Sequence, residues 1–340
     1  MTRTSAHPVA WCLIFLGLLI IAPALSLGFG PAAIPFSEAF HIFWGKLSGL
    51  GDLSQYHSNV VSIIWQHRVP RILSAIGVGA ILGISGVVMQ AVIRNPLAEP
   101  YVLGLSSGAS TGAAIAIVIF GSVAAAVISG MAFVGAIAAT AVVLWLGIGR
   151  GSSSLKLVLA GVAMGFMFSA LTNLLIIKAN NAETAQSVIF WTLGSLSRPS
   201  LNQALTLCVV GLVLGLSMWV CGPYLDALAS GDHTCIAIGI NPTITRVFVL
   251  IPVSAAVAIA VAQTGGIGFI GLVVPHLVRP LSGYAHRGVI ALTAVVSSLL
   301  LLATDTVART VLAPVDIPIG VITALLGAPL LIVLTRRLSS

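Results

Sequence analysis

Charged residues divide this chain into long apolar intervals. No Asp, Glu, Lys or Arg occurs within residues 4–37, 101–149, 157–177, 199–225, 247–278, 288–304 and 317–335. A helix needs about 20 apolar residues to cross the hydrocarbon core of a bilayer. The strands of a membrane barrel would instead alternate in polarity over segments of about ten residues. Because these intervals are apolar throughout, the pattern predicts an all-α integral membrane protein.

The intervals predict about ten transmembrane helices. The interval 101–149 is long enough for two crossings with a break near Gly121 and Ser122, and 247–278 for two with a break at the sequence TGGIG, residues 264–268. The predicted spans are 9–29, 70–93, 101–120, 123–148, 155–178, 200–221, 243–263, 266–281, 288–305 and 317–335. The span 266–281 is the weakest because it is short and contains Pro275 and His276. Eight or nine crossings with re-entrant pieces are the alternative.

Composition and charge placement add an orientation. Of the 340 residues, 58% are hydrophobic and 7% are charged, against about 25% charged in soluble domains, so residues 1–340 are predicted to form a single transmembrane domain. With a cytoplasmic N-terminus and ten alternating spans, the inside segments hold nine basic and three acidic residues (net +6) and the outside segments six basic and five acidic residues (net +1). Because basic residues concentrate on the cytoplasmic side, both termini are predicted to be cytoplasmic, and the net charge of +7 is not read as a nucleic-acid signal.

Three arginines oppose this charge bias. Arg68 and Arg71 precede the uncharged run Ile72–Ile93, which ends at Arg94, and Arg309 is also placed outside. An arginine at a helix end can simply extend its charged head to the interface. The sequence alone therefore leaves the role of these outward arginines open.

Several kinds of chemistry have no motif in the sequence. It contains no phosphate-binding G-x-x-x-x-G-K-[ST] loop, no H-E-x-x-H and no pair of intramembrane carboxylates, which argues against an enzyme and against ATP binding by this chain. An ion-coupled carrier would bury ionisable residues in its spans, and the spans offer almost none. A carrier that works alone and a receptor without transport are the competing hypotheses, and energy supplied by a partner protein is favoured.

Four stretches are more specific than generic membrane sequence. They are residues 68–113, containing NPLAEP and GLSSGA; residues 188–197, VIFWTLGSLS; residues 266–283, containing GFIGLVVPH; and residues 303–337. In this order they resemble the permease subunits of ABC importers for ferric siderophores, haem and cobalamin, the FecCD-type family. The resemblance implies a type II ABC importer permease of about ten transmembrane helices in the bacterial cytoplasmic (inner) membrane.

The resemblance also implies function and partners. The expected function is to move an iron–siderophore complex from a periplasmic binding protein to the cytoplasm, with haem or cobalamin as the alternative cargo. The chain itself is then no enzyme and holds no cofactor or metal, because separate subunits use ATP and Mg. The expected partners are a second permease copy or a related permease chain, two cytoplasmic ATPase subunits, the periplasmic substrate-binding protein and the lipid bilayer, and no nucleic acid.

Functional residues are carried over from the family by position. The resemblance assigns docking of the binding protein to Arg68, Arg71 and Arg309, with snorkelling as the alternative. It assigns contact with the ATPase to the cytoplasmic coupling loop 222–245, through Leu228, Ala229, Gly231, Asp232, Ala237 and Gly239. Here Asp232 stands where many relatives carry Glu, and Ile238 where Leu is common; a merely solvated loop is the alternative.

The resemblance places a gate and a pathway as well. The gate falls in GRGSSSLK, residues 149–156, with Ser152, Ser153 and Ser154, for which a flexible linker is the alternative. Ser106, Ser107 and Trp191 are assigned to the pathway, although close helix packing by small residues and an interfacial anchor explain them equally well. His276 is expected to form a structural hydrogen bond rather than to ligate haem.

Overall fold

The computed structural model describes residues 8–49, 51–147 and 154–338. Within these ranges every regular element is helical. The elements are α1 (Pro8–Ser26), α2 (Phe36–Ser48), α3 (Ser58–Ser62), α4 (Val69–Ile93), α5 (Leu105–Ala114), α6 (Ala125–Gly147), α7 (Ser154–Lys178), α8 (Ala182–Thr192), α9 (Leu201–Val220), α10 (Gly222–Ser230), α11 (Asp232–Ala237), α12 (Pro242–Thr264), α13 (Ile270–Ser282), α14 (His286–Ala308) and α15 (Ile319–Leu338). Short π-helical turns, Ile63–Arg68 and Ile115–Ile119, join α3 to α4 and extend α5.

Each of the ten predicted spans coincides with an apolar helix in the described part of the chain. Six of these helical segments are long and apolar enough to cross a membrane: Ser58–Ile93, Ala125–Gly147, Leu155–Lys178, Leu201–Val220, Pro242–Thr264 and His286–Ala308. Four shorter ones are Ala10–Ser26, Leu105–Ile119, Ile270–Ser282 and Ile319–Ile332. The prediction of an all-α membrane fold is confirmed.

Helix α4 lies at the centre of the bundle and is buried along almost its whole length. Its glycines allow neighbouring backbones to approach closely, as small residues do between membrane helices. A Cβ atom added at Gly79 would lie 2.6 Å from the carbonyl oxygen of Ser297 in α14, and one added at Gly77 would lie 2.6 Å from the carbonyl carbon of Leu207 in α9. The glycines of this helix are therefore packing positions.

The ends of α4 define two opposite faces of the molecule. Arg71 lies in its first turn and Arg94 immediately follows its last residue, so about 35 Å of helix separates them. We call the end of the bundle that contains Arg71 the arginine face. The other end, where Arg94 approaches Asp232 of α11, is the coupling face.

The chain between α12 and α13 breaks inside the bundle. The predicted break at residues 264–268 is observed at 265–269, and α13 begins at Ile270. This helix has 13 residues and is therefore about 20 Å long, shorter than the roughly 30 Å hydrocarbon core. Its Gly271 packs against Gly86, within the length of α4. The eighth predicted span is thus a short helix that starts at membrane depth.

The third predicted span also begins later than expected. Pro100–Leu103 form a 3-10 turn, Gly104 adopts a left-handed conformation with φ of 76°, and the α-helix starts only at Leu105. Proline at the start of the turn and the left-handed glycine at its end explain why no continuous α-helix forms from residue 101. In the NPLAEP segment, Ala98 and Pro100 are therefore buried, with Pro100 beside Gly271 of α13, whereas residues 95–97 are exposed.

Candidate functional site

Arg71 is the centre of an ion-pair cluster on the arginine face. Its Nε donates to both carboxylate oxygens of Asp305, at 2.8 and 3.0 Å, and its Nη1 donates to Oδ2 of Asp316 at 2.8 Å. The Asp305 carboxylate is fully buried, whereas the Asp316 side chain is 42% exposed and that of Arg71 is 11% exposed. Arg71 therefore has one buried partner and one partner that solvent reaches.

Arg68 and Arg309 flank this cluster and are buried. Arg68 donates to the carbonyl oxygens of Leu27 and Ala32, which fixes the chain that follows α1. The Nε of Arg309 lies 3.7 Å from Asp305, and its Nη2 donates to the backbone and hydroxyl oxygens of Ser26. The Nε and Nη1 of Arg309 make no hydrogen bond to the described residues.

The three arginines assigned to docking thus meet in one place. They line a cavity of about 320 Å³ together with His67, Ser197 and Asp316. Three arginines and two aspartates leave the cluster one positive charge in excess. The pairing of Arg71 with Asp305 and Asp316 was missed at the sequence level. The only available signal was that the three arginines and the two aspartates all fall in segments on the predicted outer side of the membrane.

A second site of interest is the break between α12 and α13. Irregular backbone at membrane depth must have its polar groups satisfied by protein. The Tyr101 hydroxyl accepts from the N–H of Ile267 at 3.0 Å and donates to its carbonyl oxygen at 3.1 Å. The N–H of Ser195 donates to the carbonyl oxygen of Thr264 at 2.6 Å. Two distant segments therefore hold the two ends of the break.

Glu99 holds the start of α13. Its carboxylate accepts the N–H of Phe269, and burial raises the pKa of the Glu99 carboxyl while that hydrogen bond opposes the shift. Phe269 adopts φ of 69°, a left-handed conformation that is uncommon for a bulky residue. In the middle of α13, the Nε2 of His276 lies 2.7 Å from the carbonyl oxygen of Pro96, the structural hydrogen bond that was expected for this histidine.

Two residues assigned to the pathway meet at this break. A Cβ added at Gly266 would lie 2.7 Å from Oγ of Ser106, and one added at Gly265 would lie 2.3 Å from the carbonyl oxygen of Trp191. Ser107 instead donates to the carbonyl oxygen of Gly104 at 3.1 Å. The close approach around the two glycines makes this junction of α5, α8 and the break sensitive to any added side chain.

Only one of the three serines assigned to the gate lies within the described residues. Ser152 and Ser153 lie outside the described residues, and Ser154 is the first residue of α7.

Trp191 is buried, and the guanidinium of Arg198 lies over its ring at 5.8 Å. Burial lowers the pKa of Arg198 to about 10.

The coupling face carries two short helices, α10 and α11. Gly231 separates them with φ of 111°, a conformation that favours glycine. Asp232 accepts from Arg246 and lies 3.6 Å from Arg94, the residue after α4. Asp226 accepts from the backbone N–H of His286 at 3.1 Å and pairs with its Nδ1 at 2.6 Å. Both short helices are thereby attached to the membrane helices behind them.

Some residues assigned to coupling are buried or ion-paired, and the others are exposed. Leu228 is buried and Asp232 is an ion-pair hub, whereas Ala229, Ala237 and Gly239 are exposed. Two large apolar side chains beside Ala237 are also exposed, those of Ile236 and Ile238, at 64% and 60%. Ile236 was missed at the sequence level, although the sequence shows two isoleucines that flank Ala237 in the predicted cytoplasmic loop.

Comparison with known proteins decides the family. The model of the FecCD transport family matches residues 18–337. The chain belongs to the FecCD family. Its relatives include the molybdate import system permease protein MolB of Haemophilus influenzae, 34% identical over 321 residues that cover 94% of each chain. The ferric enterobactin transport system permease protein FepD of Escherichia coli is 34% identical over 322 residues, 94% of this chain and 93% of FepD.

A solved structure agrees with this assignment. It is an inward-facing conformation of a metal-chelate type ABC transporter, and it matches with a TM-score of 0.82 and 31% identity over 96% of this chain and 98% of that one. This FecCD chain is therefore a multi-pass membrane protein and the permease subunit of an ABC importer. The arginine face, the break and the coupling face are features of that permease.

Proposed function

We propose that this permease imports an iron–siderophore complex that a periplasmic binding protein delivers and that separate ATPase subunits drive. The observation that carries the proposal is the FecCD family match over nearly the whole chain. The name of FepD, a ferric enterobactin permease of similar length, supports the choice of cargo. The proposed location is the bacterial inner membrane, with both termini and the coupling face in the cytoplasm and the arginine face in the periplasm.

The arginine face is the proposed docking surface for the binding protein. Arg71 is the only one of the three assigned arginines within the described residues that has a partner open to solvent, Asp316. A carboxylate of the binding protein can take the place of Asp316 beside Arg71, because an arginine fork pairs carboxylates with directed hydrogen bonds. Arg68 and Arg309 then act from behind, through their positive charge and by fixing the chain after α1.

A second permease copy is the proposed partner at the exposed face of α7. Ser169 and Asn173 lie four residues apart on this helix and are both exposed, although α7 is an apolar span. Within the described residues the Asn173 side chain has no hydrogen-bond partner, and an unpaired amide facing lipid is costly. A water-filled pathway between two copies would satisfy it, so we place the pathway along this face.

The exposed apolar surface of α11 is the proposed contact with the ATPase. Ile236 lies in α11 and Ile238 immediately follows it, and both side chains are exposed. Ion pairs attach this short helix to the end of α4 and to α12. Apolar side chains that are exposed beyond the membrane core mark protein contact sites. Because α11 is fixed to two membrane helices, movement of a bound ATPase would be transmitted to the bundle.

Molybdate is the second candidate cargo, because MolB is a molybdate permease of equal length and similar identity. Haem and cobalamin stay as further alternatives within the family. The cargo is best decided by the ligand of the cognate binding protein, identified by native mass spectrometry and absorbance spectroscopy. An iron–siderophore complex would support the proposal, and molybdate or haem would replace it.

Transport itself is tested in proteoliposomes that contain the permease and its ATPase subunits. Ligand-loaded binding protein is expected to stimulate ATP hydrolysis and ligand uptake, and Arg71→Glu is expected to reduce the stimulated rate. Uptake by the permease alone, driven by a proton gradient without ATPase subunits, would contradict the proposal and favour a secondary carrier.

A further inference from the structure

An apolar groove runs along the bundle between α1, α4, α9 and α14. It has a volume of about 290 Å³, and its lining includes Leu19, Ala80, Gly211, Gly215, Ala291 and Ala294. Small residues of α4, α9 and α14 form its floor, while Leu212 and Leu216 of α9 stand at its edge, 64% and 59% exposed. The groove is thus open at the surface of helices that span the membrane.

The groove spans part of the membrane thickness. On α9 its lining runs from Cys208 to Trp219, a separation of eleven residues, or about 16 Å of helix. That length is about half of a hydrocarbon core of roughly 30 Å. Trp219 lies at the end of α9 from which α10 leaves, so the groove begins near the coupling face. Its lining on α4 extends past the middle of that helix to Ile76.

The few polar groups in the groove are already satisfied. The Ser298 hydroxyl bonds to the carbonyl oxygens of Ile76 and Ala294, both at 2.8 Å. The Cys208 thiol bonds to the carbonyl oxygen of Leu73 at 3.3 Å. Apart from the indole N–H of Trp219 at its mouth, the described lining residues leave no side-chain hydrogen-bonding group free, which suits a hydrocarbon chain.

A fixed cation stands at the mouth of the groove. The guanidinium of Arg287 lies 4.9 Å from the centre of the Trp219 ring, and its Nε donates to the Trp219 carbonyl oxygen at 3.3 Å. Its side-chain stem packs over Gly222, where an added Cβ would lie 2.6 Å from Cγ. Arg287 is exposed, and the described residues give its two terminal nitrogens no partner.

We propose that this groove binds an acyl chain of an anionic phospholipid whose phosphate pairs with Arg287. The two halves of the site match the two halves of such a lipid. The groove binds the acyl chain, and Arg287, which is held over a tryptophan at the interface, pairs with the phosphate of the headgroup. Tryptophan is enriched at this membrane depth, and arginine near the surface attracts anionic lipid. The proposal depends on the membrane fold and not on the transported cargo.

Native mass spectrometry of the permease in mild detergent tests the proposal. Phosphatidylglycerol or phosphatidylcholine with the same acyl chains is added, and the retained lipid is counted. We expect the wild type to retain phosphatidylglycerol with roughly fivefold preference. Arg287→Gln should lose the preference, and Ala291→Phe, which fills the groove from an exposed position, should lower retention of both lipids.

Two matched variants control for general effects. Arg198→Gln removes the other arginine that lies over a tryptophan, on the opposite face, and Ala138→Phe adds the same ring at an exposed position of α6. Both should retain lipid as the wild type does. A brominated phosphatidylglycerol should quench Trp219, seen as the difference in fluorescence between the wild type and Trp219→Phe.

Three results would overturn the proposal. They are equal retention of the two lipids by the wild type, an unchanged preference for phosphatidylglycerol in Arg287→Gln, and unchanged retention of both lipids in Ala291→Phe. Loss of preference in Arg287→Gln without any effect of Ala291→Phe would show headgroup adsorption without a groove site. Occupation of the groove by a second protein copy would appear as an Ala291→Phe variant with an altered oligomeric state.

Discussion

Replacement of Asp316 by asparagine should strengthen docking of the binding protein. Asp316 holds Nη1 of Arg71 at 2.8 Å and is itself 42% exposed. In the proposed docking mode, a carboxylate of the binding protein competes with Asp316 for Arg71. The substituted asparagine keeps the size of the side chain but removes the charge that competes for Arg71 and repels the incoming carboxylate.

The size of the effect follows from the exposure of the pair. A solvent-accessible ion pair contributes about 0.2–1 kcal/mol, and this is the free energy that docking must displace. Its loss should tighten the Kd of the binding protein by up to about fivefold. The stability of the permease should change by less than about 1 kcal/mol, because Arg71 keeps both hydrogen bonds to Asp305.

The assay is biolayer interferometry with the assembled transporter in nanodiscs and the loaded binding protein in solution. Asp52→Asn is the matched control, because Asp52 lies in the loop before α3 and bonds to Ser54 rather than to an arginine. That variant should leave the Kd within error of the wild type. Unchanged or weaker docking of Asp316→Asn would refute competition and would show that Asp316 instead orients Arg71 for its partner.

Three further predictions concern the interior and the coupling face. Asp305→Asn removes the buried counter-charge of Arg71 and should destabilise the permease by about 3–5 kcal/mol. The measurement is unfolding in detergent, and a loss of stability below about 1 kcal/mol would contradict the ion-pair interpretation. Gly265→Ala should destabilise the permease by more than Gly239→Ala. Both glycines have positive φ, so alanine costs about 1–2 kcal/mol at either position, but only at Gly265 would the added Cβ meet a backbone carbonyl oxygen, at 2.3 Å. Equal melting temperatures of the two variants would refute this reasoning. Ile236→Asp should weaken co-purification of the ATPase subunits by about tenfold or more, and Ile236→Val is the control. Normal co-purification of the Asp variant would exclude α11 as the contact.

The membrane helices could be predicted from the sequence because their signal is local. A charge-free interval of sufficient length is itself the condition for crossing a bilayer, so no tertiary information was needed. The break between α12 and α13 was equally readable from the glycines of TGGIG. Its end at Phe269 was not, because a left-handed phenylalanine is held there by Glu99 from a segment 170 positions earlier.

The partners of the arginines could not be predicted, since they depend on tertiary contacts. Arg71 meets Asp305 and Asp316 across 234 and 245 positions of sequence. Loop charges indicate the side of the membrane on which a residue lies, but not which charges neutralise one another. The sequence therefore presents Arg68, Arg71 and Arg309 as three equivalent outward cations.

The structure makes these three arginines unequal, and this changes how docking should work. Arg68 is committed to two carbonyl oxygens and Arg309 is buried beside Asp305, so neither can reach a partner without rearrangement. Arg71 alone has a bond that a soluble carboxylate can replace. We therefore propose that one arginine makes the contact, while the other two hold its surroundings positive. An arginine that stays paired until a partner carboxylate displaces its own carboxylate is protected from other anions, because a free anion must compete with Asp316, which is already in place.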